Sequence, residues 1–161
     1  MALWKISAFV VCMVGLALVL PSHAQNSPQD YLDAHNAARS AIVGANIPAL
    51  LYDTTLEADV QLYLSTLLGQ CNINVDLSLN GINVKVKENV LTGLDAVNAW
   101  IFYDYNTNLC VGGVCNHYTQ VIWKSSVSVG CFRTQCLDNL NLWIVGCKYS
   151  PPGNILGQRP Y

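Results

Sequence analysis

Charged residues are scarce in this sequence of 161 residues: eight are Lys or Arg and ten are Asp or Glu, 11% of the chain. Because no basic patch stands out, we expect no nucleic-acid partner. Cys-x-x-Cys pairs are also absent, which argues against structural zinc, and we expect no metal or other cofactor. No Asn-x-Ser/Thr sequon with a permitted middle residue occurs, so we expect no N-glycosylation.

Long apolar runs are missing after the first 24 residues. The early run Ile6–Leu20 follows a lysine, and Ser22 and Ala24 supply small residues before Gln25. This pattern predicts a secretory signal peptide over residues 1–24. Because the run is shorter than the ~20 residues of a spanning helix, we expect no transmembrane anchor.

What remains, residues 25–161, has the length of one domain and an even number of cysteines. An even count behind a signal peptide predicts three disulfides formed in an oxidising compartment, while the spacing alone leaves their pairing open. The six are Cys71, Cys110, Cys115, Cys131, Cys136 and Cys147.

Capping residues and apolar periodicity predict three helices. Ser27 precedes a proline at a favourable first helical position, and Thr92 with Asp95 forms a capping box. The helices are expected from Pro28 to near Gly44, from Asp53 or Thr54 to about Leu68, and from Thr92 through Trp100 towards Tyr103. His35 lies on the first helix, where we expect it to bond a neighbouring loop.

Alternating polar and apolar residues over 72–87 predict extended structure, with Asn80-Gly81 as a hairpin turn. Further strands are predicted at Thr119–Lys124, Val127–Thr134 and Leu142–Tyr149. Cys131 and Cys147 would then face each other across adjacent antiparallel strands. The end of the chain is rich in Pro and Gly and should lie extended on the surface.

The sequence is organised around a run from Cys110 to Trp123, in which a short cysteine loop with a Gly-Gly pair precedes His117-Tyr-Thr-Gln-Val121. This run closely resembles the signature of the CAP superfamily, specifically the plant class 1 pathogenesis-related proteins. The segments Gln29–Arg39 and Tyr149–Tyr161 resemble the opening helix and the terminus of the same family. Two interpretations of His117 stay open. A disulfide across the loop would fix the position of His117 for a functional role, or His117 only hydrogen-bonds the nearby backbone.

The resemblance implies an α+β fold, a three-layer α–β–α sandwich with a mostly antiparallel sheet. It also implies the disulfides Cys71–Cys136, Cys110–Cys115 and Cys131–Cys147. Such proteins are secreted into the apoplast, act in plant defence against a pathogen target and are associated with sterol capture. A monomer is expected.

Relatives line a central cleft with two histidines and two glutamates that can hold a divalent metal. Only His117 and Glu88 match here, because Val75 and Tyr103 replace the other two. Zinc sites normally need three or more protein ligands, so we expect neither a metal nor an enzyme. A metal-dependent hydrolase using His117 and Glu88 is the alternative.

Two further features of the resemblance leave alternatives open. The aromatic residues Trp100, Phe102, Tyr103 and Tyr105 either offer flat faces to a lipid or form a buried helix end. Residues 151–161 either form a releasable defence-signalling peptide or a strap across the domain. Because Pro151 and Pro152 lack an N–H, we expect an exposed junction after Ser150 and a tail with little apolar area to hold it.

Overall fold

The computed structural model describes residues 25–72, 76–102 and 115–161, and these residues form helices on both faces of a five-stranded sheet. The signal peptide, Val75, Tyr103, Tyr105 and Cys110 lie outside the described residues. The helices are α1 Pro28–Ser40, α2 Thr54–Ser65, α3 Gly93–Ile101 and α4 Asn116–Val121. The strands are β1 Leu51–Tyr52, β2 Asp76–Leu79, β3 Ile82–Glu88, β4 Ser128–Gln135 and β5 Leu142–Ser150.

The sheet has the strand order β1-β4-β5-β3-β2. Only the short β1 runs parallel to its neighbour β4, and every other pair is antiparallel. The mostly antiparallel sheet expected from the sequence is therefore confirmed. The central strand β5 follows its neighbour β4 through the turn at Asp138 and Asn139.

The predicted helix starts are present, with their caps. Ser27 and Asp30 form a capping box at α1, Thr92 and Asp95 form another at α3, and Asp53 accepts from the first turn of α2. These local signals work because each cap satisfies backbone N–H groups that have no partner within the helix. The first two helices end earlier than Gly44 and Leu68, since tight turns follow Ser40 and Ser65.

The Asn80-Gly81 turn connects β2 and β3 as predicted. Leu79 pairs with Ile82, so the loop has two residues, and both have positive φ, 51° at Asn80 and 74° at Gly81. Positive φ at both positions is the requirement of a type I′ turn. A Cβ on Gly81 would lie 2.6 Å from the Cβ of Pro152, so the turn also needs glycine for space.

Two apolar cores lie on opposite faces of the sheet. One face packs against α1, α3 and α4, and the other packs against α2. Val145 and Cys147 of β5 point into the first core, whereas Leu142 and Ile144 point into the second, as expected for alternating strand residues. The arrangement is the three-layer α–β–α sandwich predicted from the resemblance.

The strand predicted at Thr119–Lys124 was wrong, because α4 occupies the start of this segment. Thr119, Val121 and Ile122 have strand-like side chains, which misled the prediction. In the structure the N–H of Thr119 donates to Cys115 O at 2.9 Å, and its Oγ1 bonds the same carbonyl. Val121 and Ile122 are fully buried, so tertiary packing outweighs the local preference.

Two of the three disulfides that the resemblance implies are present in the structure. Cys131 and Cys147 are register partners on β4 and β5 and are bonded. Cys71 and Cys136 join the segment after α2 to the end of β4. Cys115 is also disulfide-bonded, and its expected partner Cys110 is outside the described residues.

Candidate functional site

His117 lies in the first turn of α4, on the sheet face that carries α1 and α3. Its ring stacks on Trp100 with 6.2 Å between centroids and an interplanar angle of 11°. Its carbonyl accepts from Asn83 Nδ2 on β3 at 3.0 Å. Two neighbouring elements therefore fix the position of this half-buried histidine.

Trp100 belongs to the core. It is 1% exposed and packs among the residues of α1, α3 and α4, which matches the buried helix end weighed for this segment. Phe102, two residues on, is 83% exposed beyond the end of α3. Of the four aromatic residues considered for a lipid, the described part of the chain therefore presents only Phe102 to solvent.

Glu88 is not brought to His117. It is an exposed residue at the last position of β3, while Asn83, which contacts His117, is five residues earlier. At roughly 3.3 Å per residue the two positions are about 16 Å apart along the strand. They also alternate in direction: Asn83 faces α4, whereas Glu88 pairs with Leu142, which belongs to the core of the α2 face.

No group of residues in the described ranges offers the ligand atoms of a metal site. One cluster of His, Cys, Asp or Glu ligand atoms occurs there, formed by Cys71, Cys136 and Asp138. Its two cysteines are bonded to each other, so they offer no thiolate. Single ligands at His117 and Glu88 on opposite faces do not fit the zinc coordination of three or more protein ligands.

His35 makes a contact that sequence reasoning missed. Instead of a loop, it meets β5: Nδ1 lies 2.7 Å from Tyr31 O and Nε2 lies 2.7 Å from Tyr149 Oη. A carbonyl only accepts, so Nδ1 donates, and the neutral ring then accepts from the Tyr149 hydroxyl at Nε2. Burial lowers the pKa of His35 to about 4, with Arg39 adding to the effect and the bond to Tyr31 opposing it.

Further hydrogen bonds link Tyr149 across the face of the sheet to the C-terminal tail. Asn83 Nδ2 donates to Tyr149 Oη at 3.3 Å, and Ser78 Oγ donates to Asn83 Oδ1 at 2.8 Å. Asn154 in turn donates to Ser78 Oγ at 3.3 Å. Asn83 and Ser78 lie on the hairpin of β2 and β3, where the alternating sequence pattern gave no sign of a polar network.

Comparison with known sequences gives a consistent result. The family model of the cysteine-rich secretory protein family, CAP, matches residues 32–149. A pathogenesis-related protein of the PR-1 type from Sambucus nigra is 43% identical, with 96% of this chain and 94% of that protein covered. Pathogenesis-related protein 1 of Arabidopsis thaliana is 40% identical, with 98% and 96% covered.

Solved structures show the same fold at lower identity. The hookworm platelet inhibitor has a TM-score of 0.63 at 22% identity, covering 83% of this chain and 74% of its own. NaASP2, solved with Zn²⁺, has a TM-score of 0.61 at 21% identity and 88% coverage of both chains.

Helices of the described ranges are all too short or too polar to span a membrane. The chain therefore belongs to the CAP family of cysteine-rich secretory proteins, as a plant defence protein of the pathogenesis-related 1 group.

Proposed function

We propose that this protein is secreted into the plant apoplast and acts in defence by binding a sterol or another lipid, without catalysis. The observation that carries the defence role is the identity of about 40% with proteins named for pathogenesis, over nearly the whole chain. The predicted signal peptide and the disulfides support an extracellular location, since disulfides persist in oxidising compartments.

Lipid binding is supported by the end of α3. Trp100 is held in the core, and the helix then delivers Phe102 to the surface, 83% exposed. Exposed aromatic faces of this kind suit a flat apolar ligand. Trp100 would thus be a support for the site, and Phe102 a contact residue.

A fluorescent sterol titrated into the secreted protein tests this proposal. We expect saturable binding that Phe102→Ser weakens. Val43→Ser is the matched control, because Val43 is 96% exposed and lies in the connection after α1. Equal affinity of the two variants, or no binding by the wild type, would reject the lipid site at Phe102.

The metal-dependent hydrolase loses its geometric support, since Glu88 and His117 face opposite sides of the sheet. We expect calorimetry to show no tight zinc binding. One-to-one zinc binding that His117→Ala abolishes would contradict this expectation and would restore the hydrolase as a candidate.

For residues 151–161, the contacts favour a strap over a freely releasable peptide. Lys124 N donates to Pro160 O at 2.7 Å, and Gly153 N donates to Gln120 Oε1 at 2.8 Å. Asn154 Nδ2 donates to Asn116 O at 2.7 Å. Release as a signalling peptide would require these bonds to break as well as one cut in the chain.

A further inference from the structure

A cavity of about 200 Å³ lies away from His117 and Phe102, where α1, α2 and β4 meet. Its lining mixes polar and apolar side chains and contains both a positive and a negative one. The polar side chains that line it are Asn26, Tyr31, Tyr52, Glu57 and Arg133.

Arg133 is held firmly at one side of this cavity. Its Cζ lies 3.4 Å from the centroid of the Trp143 ring, and its Nε donates to Leu91 O. Its two terminal nitrogens have no hydrogen-bond partner among the described residues. Partial burial lowers the pKa of Arg133, although a guanidinium stays charged. A fixed guanidinium with free terminal nitrogens suits a carboxylate, which it can bind with two parallel hydrogen bonds.

Glu57 supplies the opposite charge from the first turn of α2. The single proton of the Tyr52 hydroxyl has two acceptors at 3.0 Å, Glu57 Oε2 and Cys131 O, and Tyr52 Oη accepts from Cys131 N at 3.2 Å. These bonds position the carboxylate, while Oε1 has no partner in the described part of the chain. Glu57 and Arg133 line the same cavity but form no ion pair with each other there. Within the described part of the chain, one charge of each sign without an ion-pair partner therefore borders a single small space.

Tyr31 also lines the cavity, but its hydroxyl is buried. It is 2% exposed, and its Oη has no hydrogen-bond partner within the described ranges. Burial raises the pKa of Tyr31, so the hydroxyl keeps its proton and remains a donor. The hydroxyl packs against Gly93, where an added Cβ would lie 2.5 Å from Oη, so the charged pair and not Tyr31 is what the cavity offers to a ligand.

We propose that this cavity binds a small zwitterion of the α-amino-acid type, with Arg133 holding its carboxylate and Glu57 its ammonium group. The two protein charges cancel, so a ligand without net charge matches the site as a whole. A ligand with a carboxylate alone would leave Glu57 uncompensated, and an amine alone would leave Arg133 uncompensated. The site is separate from the lipid contact proposed at Phe102 and does not depend on it.

Nuclear magnetic resonance titration of the ¹⁵N-labelled secreted protein tests the proposal. The probes are a panel of free α-amino acids, with acetate and methylammonium as single-group probes. We expect saturable shifts at the amides of Glu57, Cys131 and Arg133 with at least one amino acid, and weaker effects with either single-group probe.

Charge-removing variants then assign the groups. Arg133→Gln and Glu57→Gln should each weaken binding about tenfold or more, as expected for a charged hydrogen bond. Arg159→Gln and Asp138→Asn are matched controls, because they remove one exposed charge of the same sign elsewhere and should leave binding unchanged. Circular dichroism establishes that each variant is folded.

Three outcomes would overturn the proposal. The first is an absence of saturable shifts at the cavity for every amino acid tested. The second is acetate binding as tightly as the amino acids with no effect of Glu57→Gln, which would define a plain anion site. The third is equal loss of binding in the control variants. The wild-type titration does not depend on the folding of any variant.

Discussion

Arg39 is a buried cation, 1% exposed, that is neutralised by no carboxylate among its hydrogen-bond partners. Its Nε donates to Pro48 O, and its terminal nitrogens donate to the carbonyls of Val121, Trp123 and Ser126. Burial lowers the pKa of Arg39 to about 10, which leaves it protonated at neutral pH. One side chain thus ties α1 to the connection before β1 and to the segment after α4.

We expect Arg39→Met to lower the free energy of unfolding by about 4 kcal/mol, because it takes a donor from four carbonyls, of which Trp123 O keeps a second one, the N–H of Ser126. Urea denaturation monitored by circular dichroism measures the change. Arg159→Met, at an exposed position of the tail, is the control and should alter stability by no more than about 0.5 kcal/mol. Similar small effects at both positions would show that water replaces the guanidinium.

His35 gives the protein a specific sensitivity to acid. Its pKa is about 4 in the folded state, against an ordinary value of 6.5, so the unfolded chain takes up a proton first as pH falls. The stability that the neutral ring contributes is complete above pH 6.5 and is lost between pH 6.5 and about 4, up to about 3 kcal/mol. The groups facing the ring are Arg39, Tyr31 and Tyr149.

His35→Gln should remove this part of the pH dependence, since an amide can donate and accept without titrating. Urea midpoints of the wild type and the variant at pH 7 and pH 4.5 are the measurement. We expect a smaller loss on acidification in the variant. An equal loss in both proteins would assign the acid sensitivity to carboxylates instead.

At the scale of helices and strands, the sequence correctly predicted the features whose structure depends on a few neighbouring residues. The capping boxes at Ser27 and Thr92 and the Asn80-Gly81 turn depend only on near neighbours, and all three are present. α4 was missed because its β-branched residues favour a strand and only burial against the rest of the fold makes it helical.

The candidate site was harder to predict for a related reason. Glu88 matches the family motif in sequence, but the hairpin formed by residues 76–88 carries it to the far end of β3 and to the other face. His35 and Tyr149 are 114 residues apart, so no local pattern connects them. Motif matching recovers residue identity, whereas the direction of a side chain depends on strand register.

The disulfide between β4 and β5 should stabilise the domain more than the expected Cys110–Cys115 disulfide. Cys131 and Cys147 are 16 residues apart and buried, against a separation of five for the other pair. Loop-closure entropy alone favours the longer loop by about 1 kcal/mol. We therefore expect the Cys131→Ala/Cys147→Ala protein to melt at a lower temperature than Cys110→Ala/Cys115→Ala. The reverse order of melting temperatures would mean that the loop before α4 controls stability.

At the scale of the whole molecule, the tail is better attached than the sequence suggested. Pro151 and Pro152 are exposed as expected, yet Ser150 O accepts from Val127 N and Pro151 O accepts from Ser126 Oγ. A Cβ on Gly153 would lie 2.5 Å from Trp123 Cγ, so the backbone of the tail covers a tryptophan that is only 3% exposed. The expectation of little apolar contact is thus wrong for this part of the tail.

Removal of residues 151–161 should consequently lower the melting temperature, because it uncovers Trp123, takes the donor from Gln120 Oε1 and takes the acceptor from the Ser126 hydroxyl. Differential scanning calorimetry of the truncated and the complete proteins measures the shift. We also expect limited proteolysis with apoplastic fluid to cut other loops before the tail. Early release of the tail, with an unchanged melting temperature of the remainder, would support the signalling peptide instead.

The strand order β1-β4-β5-β3-β2 has a consequence for biosynthesis. The adjacent strands β4 and β5 lie within residues 128–150 and follow every other helix and strand that the structure describes. While the ribosome is still making the first two thirds of the domain, β1 and β3 have no neighbour to pair with on the inner side of the sheet. Such non-local pairing slows folding and leaves apolar faces exposed in the meantime. Assembly of the sandwich must therefore await the synthesis of β4 and β5, because neither apolar core can close before these strands are made.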